Sequence, residues 1–200
     1  DWMDELSLEE PKTVEDITNI VKAFKEKYGD SNSLVMSQNI VSENGNNTYG
    51  MDALFALYGA YPKHWVTDAD GNLVYGSNTE EAKTALAEIR KLVEDGTIDA
   101  SFTVRDTDQC AELVTSGQAG IFFGAWWNMS WPLNNMVEED PSIYWNAYLA
   151  PLTDDGTYNT ATLCPSSSFM VVKAGASEEV KEAAVKVMNY QFDIDQDQGN

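Results

Sequence analysis

The chain has 200 residues, 43% of them apolar and 11% aromatic, which is enough to build the packed core of one sizeable domain or two small ones. Its 33 acidic and 12 basic residues give a formal net charge of -21, which disfavours binding to nucleic acid or to an anionic membrane surface. The first residues lack the pattern of a signal peptide, and no apolar run is long enough to span a membrane. We therefore expect either a cytoplasmic protein or an export signal outside this sequence.

Cysteine and histidine are too scarce to form a zinc site. Cys110 and Cys164 have no second cysteine and no histidine at ligand spacing, and His64 is the single histidine. One histidine also leaves few acid–base groups that titrate near neutral pH. We expect no metal ion and no cofactor, and the two cysteines alone do not define a disulfide framework.

In the first third of the chain, apolar spacing predicts two helices and a short strand. Thr13 and Asp16 form a capping box at the start of the first helix, and Gly29 follows its end. The predicted apolar face of this helix comprises Val14, Ile17, Val21, Phe24 and Tyr28. The apolar residues 34–36 allow one strand within a polar loop, and a second helix is expected from about Tyr49 through Tyr58.

The pair Asp70-Gly71 lies between two β-rich runs in residues 65–75, a pattern typical of a tight hairpin turn. The neighbouring acids resemble the start of a calcium loop, but no carboxylate stands at the closing position, so a turn is favoured. Ser77 is predicted to cap the next helix, which ends at Gly96. The residues predicted to be buried on this helix are Ala82, Leu86, Ile89 and Val93.

Residues 117–133, with the sequence GQAGIFFGAWWNMSWPL, hold three of the chain's six tryptophans. They follow a shorter helix expected at residues 107–116. Residues 119–123 form an apolar run bounded by glycines, which predicts a buried strand. Trp126 and Trp127 come directly after it, and we interpret them as aromatic faces delivered into a cleft. Trp131 lies beside Pro132, and we predict that it belongs to the core.

In the last third, Ser130 is expected to cap a helix that has Pro132 in its first turn and runs to about Glu139. Strands are expected at residues 145–149 and 169–173. A final helix is expected to begin at Ser177. The residues predicted to be buried on it are Val180, Ala184, Val187 and Met188. Helices and short strands thus alternate irregularly, which predicts an α/β or α+β fold.

A polar tail is expected from Phe192 onward. Asp193, Asp195 and Asp197 in this tail resemble a calcium loop, but Gln198 stands in place of the required glycine and no closing carboxylate follows. Calcium binding is therefore not expected there.

The sequence contains no G-x-S-x-G, Walker, G-x-G-x-x-G or H-E-x-x-H motif, so the common nucleophile, nucleotide and zinc signatures are absent. Flat aromatic rings suit a ligand that has apolar C–H faces and hydroxyl edges, which is the character of a carbohydrate. We interpret Trp126 and Trp127 as a stacking surface, with Asn128 and Ser130 as hydrogen-bonding groups.

A second aromatic set lies in residues 58–65 and could form the other wall of a sugar site. Tyr61 and Trp65 flank Pro62 in a loop and are the candidates for contact. Tyr58 is predicted to pack in the core, and His64 to lie at the surface.

Three stretches of the chain, in this order, resemble the extracellular solute-binding proteins of ABC importers, in particular the carbohydrate-binding, maltose-binding-protein-like group. They are the helix and hairpin at residues 51–75, EDGTIDASF at residues 94–102, and ELVTSGQAGIFFGAWW at residues 112–127. The last resembles the family's helix, strand and Gly-Pro-Trp turn, although Ala125 stands where proline is common. The tract DELSLEEPKTVEDITNIVKAFKEKYG is similar to lipoprotein members from Gram-positive bacteria.

The resemblance implies an α/β fold of the periplasmic-binding-protein-like type II, helix-rich with short strands. Residues 1–200 would form mainly the second, ligand-binding lobe, and residues 145–176 would cross back toward the other lobe. The implied function is non-enzymatic capture of an oligosaccharide between two closing lobes for import. Trp126 would stack on the sugar, with Trp127 second and Tyr61 and Trp65 matched more loosely.

The resemblance also implies a carbohydrate ligand and transporter permease subunits as partners. The full-length protein would be extracellular and lipid-anchored at the cell surface, with its signal outside this sequence.

Two other functions stay open at this point. A glycoside hydrolase fragment needs only two suitably separated carboxylates, and 33 acidic residues are compatible with that, although none lies within residues 117–133. A surface carbohydrate-adhesion or scaffold domain, in which the aromatic residues simply form the core, is the other alternative.

Overall fold

The structure, a computed structural model, describes residues 2–29, 32–42, 48–161 and 169–197, with the backbone alone at residues 191 and 194–197. It divides into two compact units, residues 1–163 and residues 164–200. The helices are α1 (Trp2–Glu5), α2 (Val14–Tyr28), α3 (Asp52–Leu57), α4 (Glu80–Glu94), α5 (Thr107–Thr115), α6 (Leu133–Glu139) and α7 (Glu178–Asp197). The strands β1 (Trp65–Thr67) and β2 (Leu73–Tyr75) form one antiparallel pair. Cys164 and the side chains of Asp195 and Asp197 lie outside the described residues.

Helix α2 begins at the predicted capping box. The backbone N–H of Asp16 donates to Thr13 Oγ1 over 3.1 Å, and the N–H of Thr13 donates to the Asp16 carboxylate over 2.8 Å. These two bonds satisfy amide groups that the first turn of a helix leaves without partners. The buried residues of this helix are Ile17, Thr18, Ile20, Val21 and Phe24. The predicted helix is confirmed, with Gly29 as its C-cap.

Helix α3 is shorter than predicted. It starts at Asp52, because Tyr49 has a left-handed backbone conformation with a φ of 63°, which a right-handed helix does not accommodate. Tyr49 is fully buried, and its N–H donates to the carbonyl of Phe123 over 2.8 Å. Tyr49, at which the helix was predicted to start, is therefore hydrogen-bonded to a segment that is distant in the sequence.

The predicted hairpin at residues 65–75 is confirmed. Its register pairs Trp65 with Tyr75 and Thr67 with Leu73. The Asp68 carboxylate accepts hydrogen bonds from the N–H groups of Asp70 and Asn72 over 3.0 Å and 2.8 Å. Asp68 therefore stabilises the turn.

Helix α4 is capped by Thr79, so the prediction of Ser77 as the cap was wrong. Thr79 Oγ1 accepts from the N–H of Ala82 over 3.2 Å, whereas Ser77 lies in a preceding 3-10 turn, Gly76–Asn78. The buried face also differs from the predicted one, because small alanines rather than Leu86 face the core and Leu86 is exposed. The buried residues are Ala82, Ala85, Ile89 and Leu92. The helix ends as predicted, with Gly96 just beyond it.

Residues 34–36 lie at the centre of the first unit and are fully buried. Leu34 pairs in parallel with Ile98, and Val35 pairs in parallel with Phe122. The N–H of Leu34 donates to the carbonyl of Thr97 over 2.9 Å, and the N–H of Val35 donates to that of Ile121 over 3.1 Å. This apolar segment therefore has a parallel neighbour on each side, as is typical of a strand that is buried on both faces.

The predicted strand at residues 119–123 is reduced to one bridge at Phe122. Ala119 is buried, but the residues after it are half-buried. Hydrogen bonds to the carbonyls of Ile121 and Phe123 keep the segment extended. A regular strand needs a run of paired residues, and here the partner at Val35 supplies a single bridge.

Helix α5 starts at a capping box formed by Asp106 and Gln109, close to the predicted bounds. Helix α6 begins at Leu133, and its cap position is occupied by Pro132, which makes no side-chain cap bond. The prediction that Ser130 caps this helix was therefore wrong. A 3-10 turn, Trp126–Met129, precedes it and has Ser130 as its C-cap, so the next helix starts later than expected.

No strand forms at residues 145–149 in the part of the chain that the structure describes, so this prediction was wrong. The segment is extended and mostly exposed, and it has no ladder partner among the described residues. Its far end is held by the N–H of Leu152, which donates to the carbonyl of Lys12 over 2.7 Å. Apolar and aromatic residues favour an extended backbone, but a strand also requires a neighbour.

In the second unit, residues 169–173 are described without a ladder partner, and α7 continues through Asp197. The predicted strand at residues 169–173 was therefore wrong, and the final helix extends beyond Phe192, where the polar segment was expected to follow it. Val180, Val187 and Met188 were expected to be buried but are exposed, and Ala184 is half-buried. The described part of this unit contains no second helix or strand that could cover this face.

The core of the first unit has two clusters on opposite sides of residues 34–36. Leu34 and Met36 belong to the cluster formed with α2, α3 and α4, whereas Val35 belongs to the cluster formed with α5 and α6. This alternation follows from successive side chains of an extended segment pointing to opposite faces. Among the described helices, none is both long and apolar enough to cross a membrane.

Thr79→Ala tests the observed cap of α4. We expect it to lower the free energy of unfolding by about 1 kcal/mol, because the N–H of Ala82 loses its acceptor. Thr79→Ser keeps the hydroxyl and should restore most of the loss. Chemical denaturation of the three proteins measures the difference, and equal stability of all three would contradict the assignment.

Candidate functional site

Residues 122–129 lead from the buried centre of the first unit to its surface. After the bridge at Phe122, the chain passes Gly124 and enters the 3-10 turn Trp126–Met129. Trp126, the first residue of this turn, is 90% exposed. A tryptophan that is almost fully exposed loses the burial that usually stabilises this side chain. Trp126 is therefore available for contact with a ligand.

Asn128 fixes the same turn to the body of the protein. It is 4% exposed, and its Nδ2 donates to Thr48 Oγ1 over 3.0 Å and to the carbonyl of Trp131 over 3.1 Å. Thr48, which is 5% exposed, donates back to Asn128 Oδ1 over 3.2 Å. The amide was predicted to bond to a ligand, but in this structure it makes these bonds within the protein.

The approach of Asn128 explains the glycine at residue 124. A Cβ atom at this position would overlap Asn128 Oδ1 and lie 2.9 Å from the ring of Phe122. Glycine is thus required because a side chain and an aromatic ring pack directly on the backbone.

A cleft of about 670 Å³ lies next to this turn, within the first unit. This volume is in the range of sites that hold small organic ligands. Its lining is mainly apolar and aromatic and includes both Trp126 and Asn128. The aromatic residues that line it are Trp2, Phe24, Phe122, Phe123, Trp126, Tyr144, Trp145, Tyr148 and Tyr158.

Residues 142–150 form one wall of the cleft. Tyr144 Oη donates to the carboxylate of Asp4, which ties this wall to α1. The ring of Trp145 packs on Phe122 with centroids 5.6 Å apart, and Phe122 in turn packs on Tyr49 at 5.0 Å. These contacts connect the wall to the buried centre of the unit.

Trp2 is a further tryptophan of the cleft lining that the sequence did not indicate. Its ring stacks on Tyr28 with centroids 4.1 Å apart and an interplanar angle of 20°, and it meets Phe24 edge-on at 5.2 Å. Burial and a hydrogen bond to Glu5 raise the pKa of Tyr28 to about 12, so this phenol stays neutral. Gly120 allows the close approach, since a Cβ atom there would overlap the Trp2 ring.

Three of the predicted site residues lie outside the lining of this cleft. Trp127 stacks on Trp131 with centroids 6.5 Å apart. Trp65 is 66% exposed on the hairpin and packs against Tyr75 at 5.5 Å, and Tyr61 is half-buried in the loop before it. Trp131 was predicted to be core, but it is 38% exposed, because it lies in the turn before α6 and stacks on Trp127.

Asp52 is the one charged side chain among the described residues that line the cleft. It occupies the first position of α3, and its Oδ1 accepts from the N–H of Ser42 over 3.1 Å. Burial raises the pKa of the neighbouring Tyr158, and the negative charge of Asp52 raises it further. No spacing in the sequence relates this acid to the tryptophans, because it lies far from them along the chain.

Neither a reactive thiol nor a metal cluster is found in the described residues. Cys110 is buried, its Sγ lies 3.4 Å from the carbonyl of Met36, and burial raises the pKa of the thiol to about 11. No three His, Cys, Asp or Glu side chains of the described chain are placed to hold a metal ion. The cleft therefore offers stacking surfaces and hydrogen-bonding groups.

A family model described as bacterial extracellular solute-binding protein matches residues 1–196. The chain belongs to this family. The match covers almost the whole sequence, and it agrees with the family resemblance of the motif that ends at Trp127.

Three curated relatives are similar to the chain. The polygalacturonan/rhamnogalacturonan-binding protein YtcQ of Bacillus subtilis is 29% identical over 124 residues, which cover 62% of this chain and 24% of YtcQ. Lipoprotein LipO of the same species is 30% identical over 156 residues, covering 71% and 28%. The fructooligosaccharide ABC transporter substrate-binding protein FusA of Streptococcus pneumoniae is 29% identical over 146 residues, covering 71% and 26%. The chain spans about a quarter of the length of these relatives.

The fold is similar to that of solved solute-binding proteins. The S. pneumoniae FusA EF-hand mutant in complex with fructo-nystose matches with a TM-score of 0.59 and 23% identity, over 84% of this chain and 33% of that one. This likeness confirms the predicted α/β fold of the periplasmic-binding-protein-like type II, helix-rich with short strands.

Asn128→Ala tests the anchor of the aromatic turn. We expect the free energy of unfolding to fall by about 1–3 kcal/mol, because Thr48 Oγ1 is left buried without its partner. Thr48→Val removes the other side of the contact. The double variant should therefore lose less than the sum of the two single losses by about 1 kcal/mol. Denaturant titration of the four proteins measures this coupling, and strictly additive losses would contradict it.

Proposed function

We propose that the protein captures an oligosaccharide, without changing it chemically, by stacking the sugar on Trp126 in the cleft beside it. The observation that carries this proposal is the 90% exposed Trp126 at an aromatic-lined cleft of about 670 Å³. Aromatic rings offer a large contact area with few rotatable bonds, and they match the apolar C–H faces of a sugar ring. The names of YtcQ and FusA, which describe saccharide binding, support the same ligand class.

The residues proposed for ligand contact lie either in the lining of the cleft or outside it. Trp126 is the central stacking residue, and the rings of Trp2 and Tyr148 lie in the lining of the same cleft. Asn128 is proposed as the residue that fixes the turn. Trp127, Tyr61 and Trp65 remain candidates for the outer part of a longer oligosaccharide, since they lie outside this lining.

We further propose that residues 1–200 form mainly the ligand-binding lobe of a larger two-lobe protein. Residues 145–176 would cross toward the other lobe, and ligand binding would stabilise a closed form. Permease subunits of an ABC transporter would receive the loaded protein. The family is extracellular by description, and the relative LipO is named a lipoprotein, which supports lipid anchoring at the cell surface.

Catalysis is not part of the proposed function. Hydrolysis of a glycosidic bond requires two carboxyl groups on either side of the bond. Asp52 is the only acid among the described residues that line the cleft, so a carboxylate pair is not formed there by this part of the chain. The proposal therefore favours a binding protein over a glycoside hydrolase fragment.

Trp126→Ala in the protein should weaken binding of its saccharide by about 2 kcal/mol, or roughly 30-fold, because a central aromatic anchor is lost. Trp65→Ala is the comparison variant, since it removes another exposed tryptophan that lies outside the cleft lining and is proposed to touch only the outer part of a longer oligosaccharide. Isothermal calorimetry with a panel of oligosaccharides measures both. Unchanged affinity of the Trp126 variant would reject this residue as the anchor, and an equal loss in both variants would extend the site to the hairpin.

Prolonged incubation of the protein with the saccharide that it binds separates capture from hydrolysis. We expect chromatography to recover the ligand at its original length, because the described cleft lacks an acid pair. Shorter products that form with wild type, and fail to form with Asp52→Asn, would instead support a hydrolase.

A further inference from the structure

We infer that the cleft selects uncharged oligosaccharides and rejects those that carry uronate carboxylates, with Asp52 as the residue that sets this preference. This inference rests on the proposed function, because it names the ligand class of the same cleft.

The charge of the cleft lining is the first observation. None of the described residues that line the cleft is Lys or Arg, and Asp52 contributes a negative charge. The segments outside the described residues contain no Lys or Arg either. Proteins that bind carboxylate groups generally supply arginine or lysine as the partner. The part of the site formed by residues 1–163 therefore offers no cation to a uronate.

The cations of the first unit are held elsewhere. Most make ion pairs or donate to backbone carbonyls away from the lining. These contacts are Lys25 to Gly96, Lys27 to Glu5, Lys63 to Val41, Lys83 to Glu80, Arg90 to Glu94, Lys91 to Glu88 and Arg105 to Asp99. Lys12 follows the lining residue Pro11 and is exposed, but its side chain does not line the cleft.

The position of Asp52 in the cleft lining determines how its carboxylate acts on a ligand. The N–H of Ser42 donates to Oδ1 over 3.1 Å, which orients the carboxylate at the first position of α3. Its other oxygen, Oδ2, is buried from solvent, so the carboxylate acts on a ligand through its charge. A carboxylate on the ligand would face this like charge in a partly desolvated cleft whose described lining offers no Lys or Arg. Asp52 therefore opposes acidic ligands by its charge, while the aromatic lining remains open to neutral ones.

The test uses pairs of oligosaccharides that differ only at C6, where one member has a hydroxymethyl group and the other a carboxylate. Suitable pairs, each matched in linkage and anomeric configuration, are short galactans with galacturonans, glucans with glucuronans, and mannans with mannuronans. Calorimetry with the intact protein should find that a neutral member binds and that its acidic counterpart binds at least about tenfold more weakly. The affinity for the neutral member should change little between about 50 mM and about 500 mM salt, because no ion pair with the ligand is screened.

Asp52→Asn then assigns the preference to this residue. The amide still accepts from the N–H of Ser42 but lacks the charge, so the acidic ligand should bind more tightly while the affinity for the neutral one changes little, which narrows the ratio of the two affinities about tenfold. Glu81→Gln removes one charge from the first turn of α4, outside the lining, and should leave the ratio unchanged. Melting curves of both variants check that they fold.

Two results would overturn the inference in distinguishable ways. If the acidic members bind more tightly, with an affinity that falls steeply with salt, the charge preference is wrong while saccharide capture stands. If no member of any pair binds and heating curves of the protein ignore all of them, saccharide capture itself fails and the preference fails with it.

Discussion

The parallel pairing of residues 34–36 with a neighbour on each side is the constraint on which the first unit depends. Leu34 pairs with Ile98 and Val35 with Phe122, so the chain runs in the same direction through all three segments. Parallel neighbours bring their carboxyl ends to one edge, which is where open α/β folds place ligands. Trp126 follows Phe122 at that edge. The alternation of Leu34 and Val35 also divides the core into its two clusters.

In the turn at residues 124–131, one residue is exposed and a different residue fixes the turn to the protein. Trp126 is nearly free of protein contacts, while Asn128, two residues later, is buried and bonded to Thr48. The exposed ring is therefore carried on a backbone that is already fixed, and a ligand need not order the turn when it binds. Gly124 is part of the same arrangement, because any side chain there would displace the Asn128 amide. A binding surface of this kind depends on a buried polar contact as much as on its aromatic ring.

Features set by local sequence were predictable, and features set by distant contacts were not. The capping box of Thr13 and Asp16 and the Asp-Gly turn lie within a few residues, so their chemistry is visible in the sequence. Ser77 and Thr79 are both residue types that cap helices. Thr79 is the cap, because Ser77 lies inside the 3-10 turn Gly76–Asn78. Residues 145–149 have the composition of a strand, but pairing depends on a neighbour that composition does not specify. Trp2 and Asp52 enter the cleft through tertiary packing, so no sequence spacing relates them to Trp126.

The charge of the chain and the charge of the cleft follow different patterns, and the difference has a functional meaning. The formal net charge is -21, yet the described lining of the cleft carries one charged side chain. Acidic residues elsewhere keep a protein soluble and create a negative potential that lowers the local concentration of anions. An acidic ligand is thus opposed first during approach and again at Asp52. A neutral ligand meets neither barrier, and its affinity comes from stacking and hydrogen bonds, which salt screens weakly.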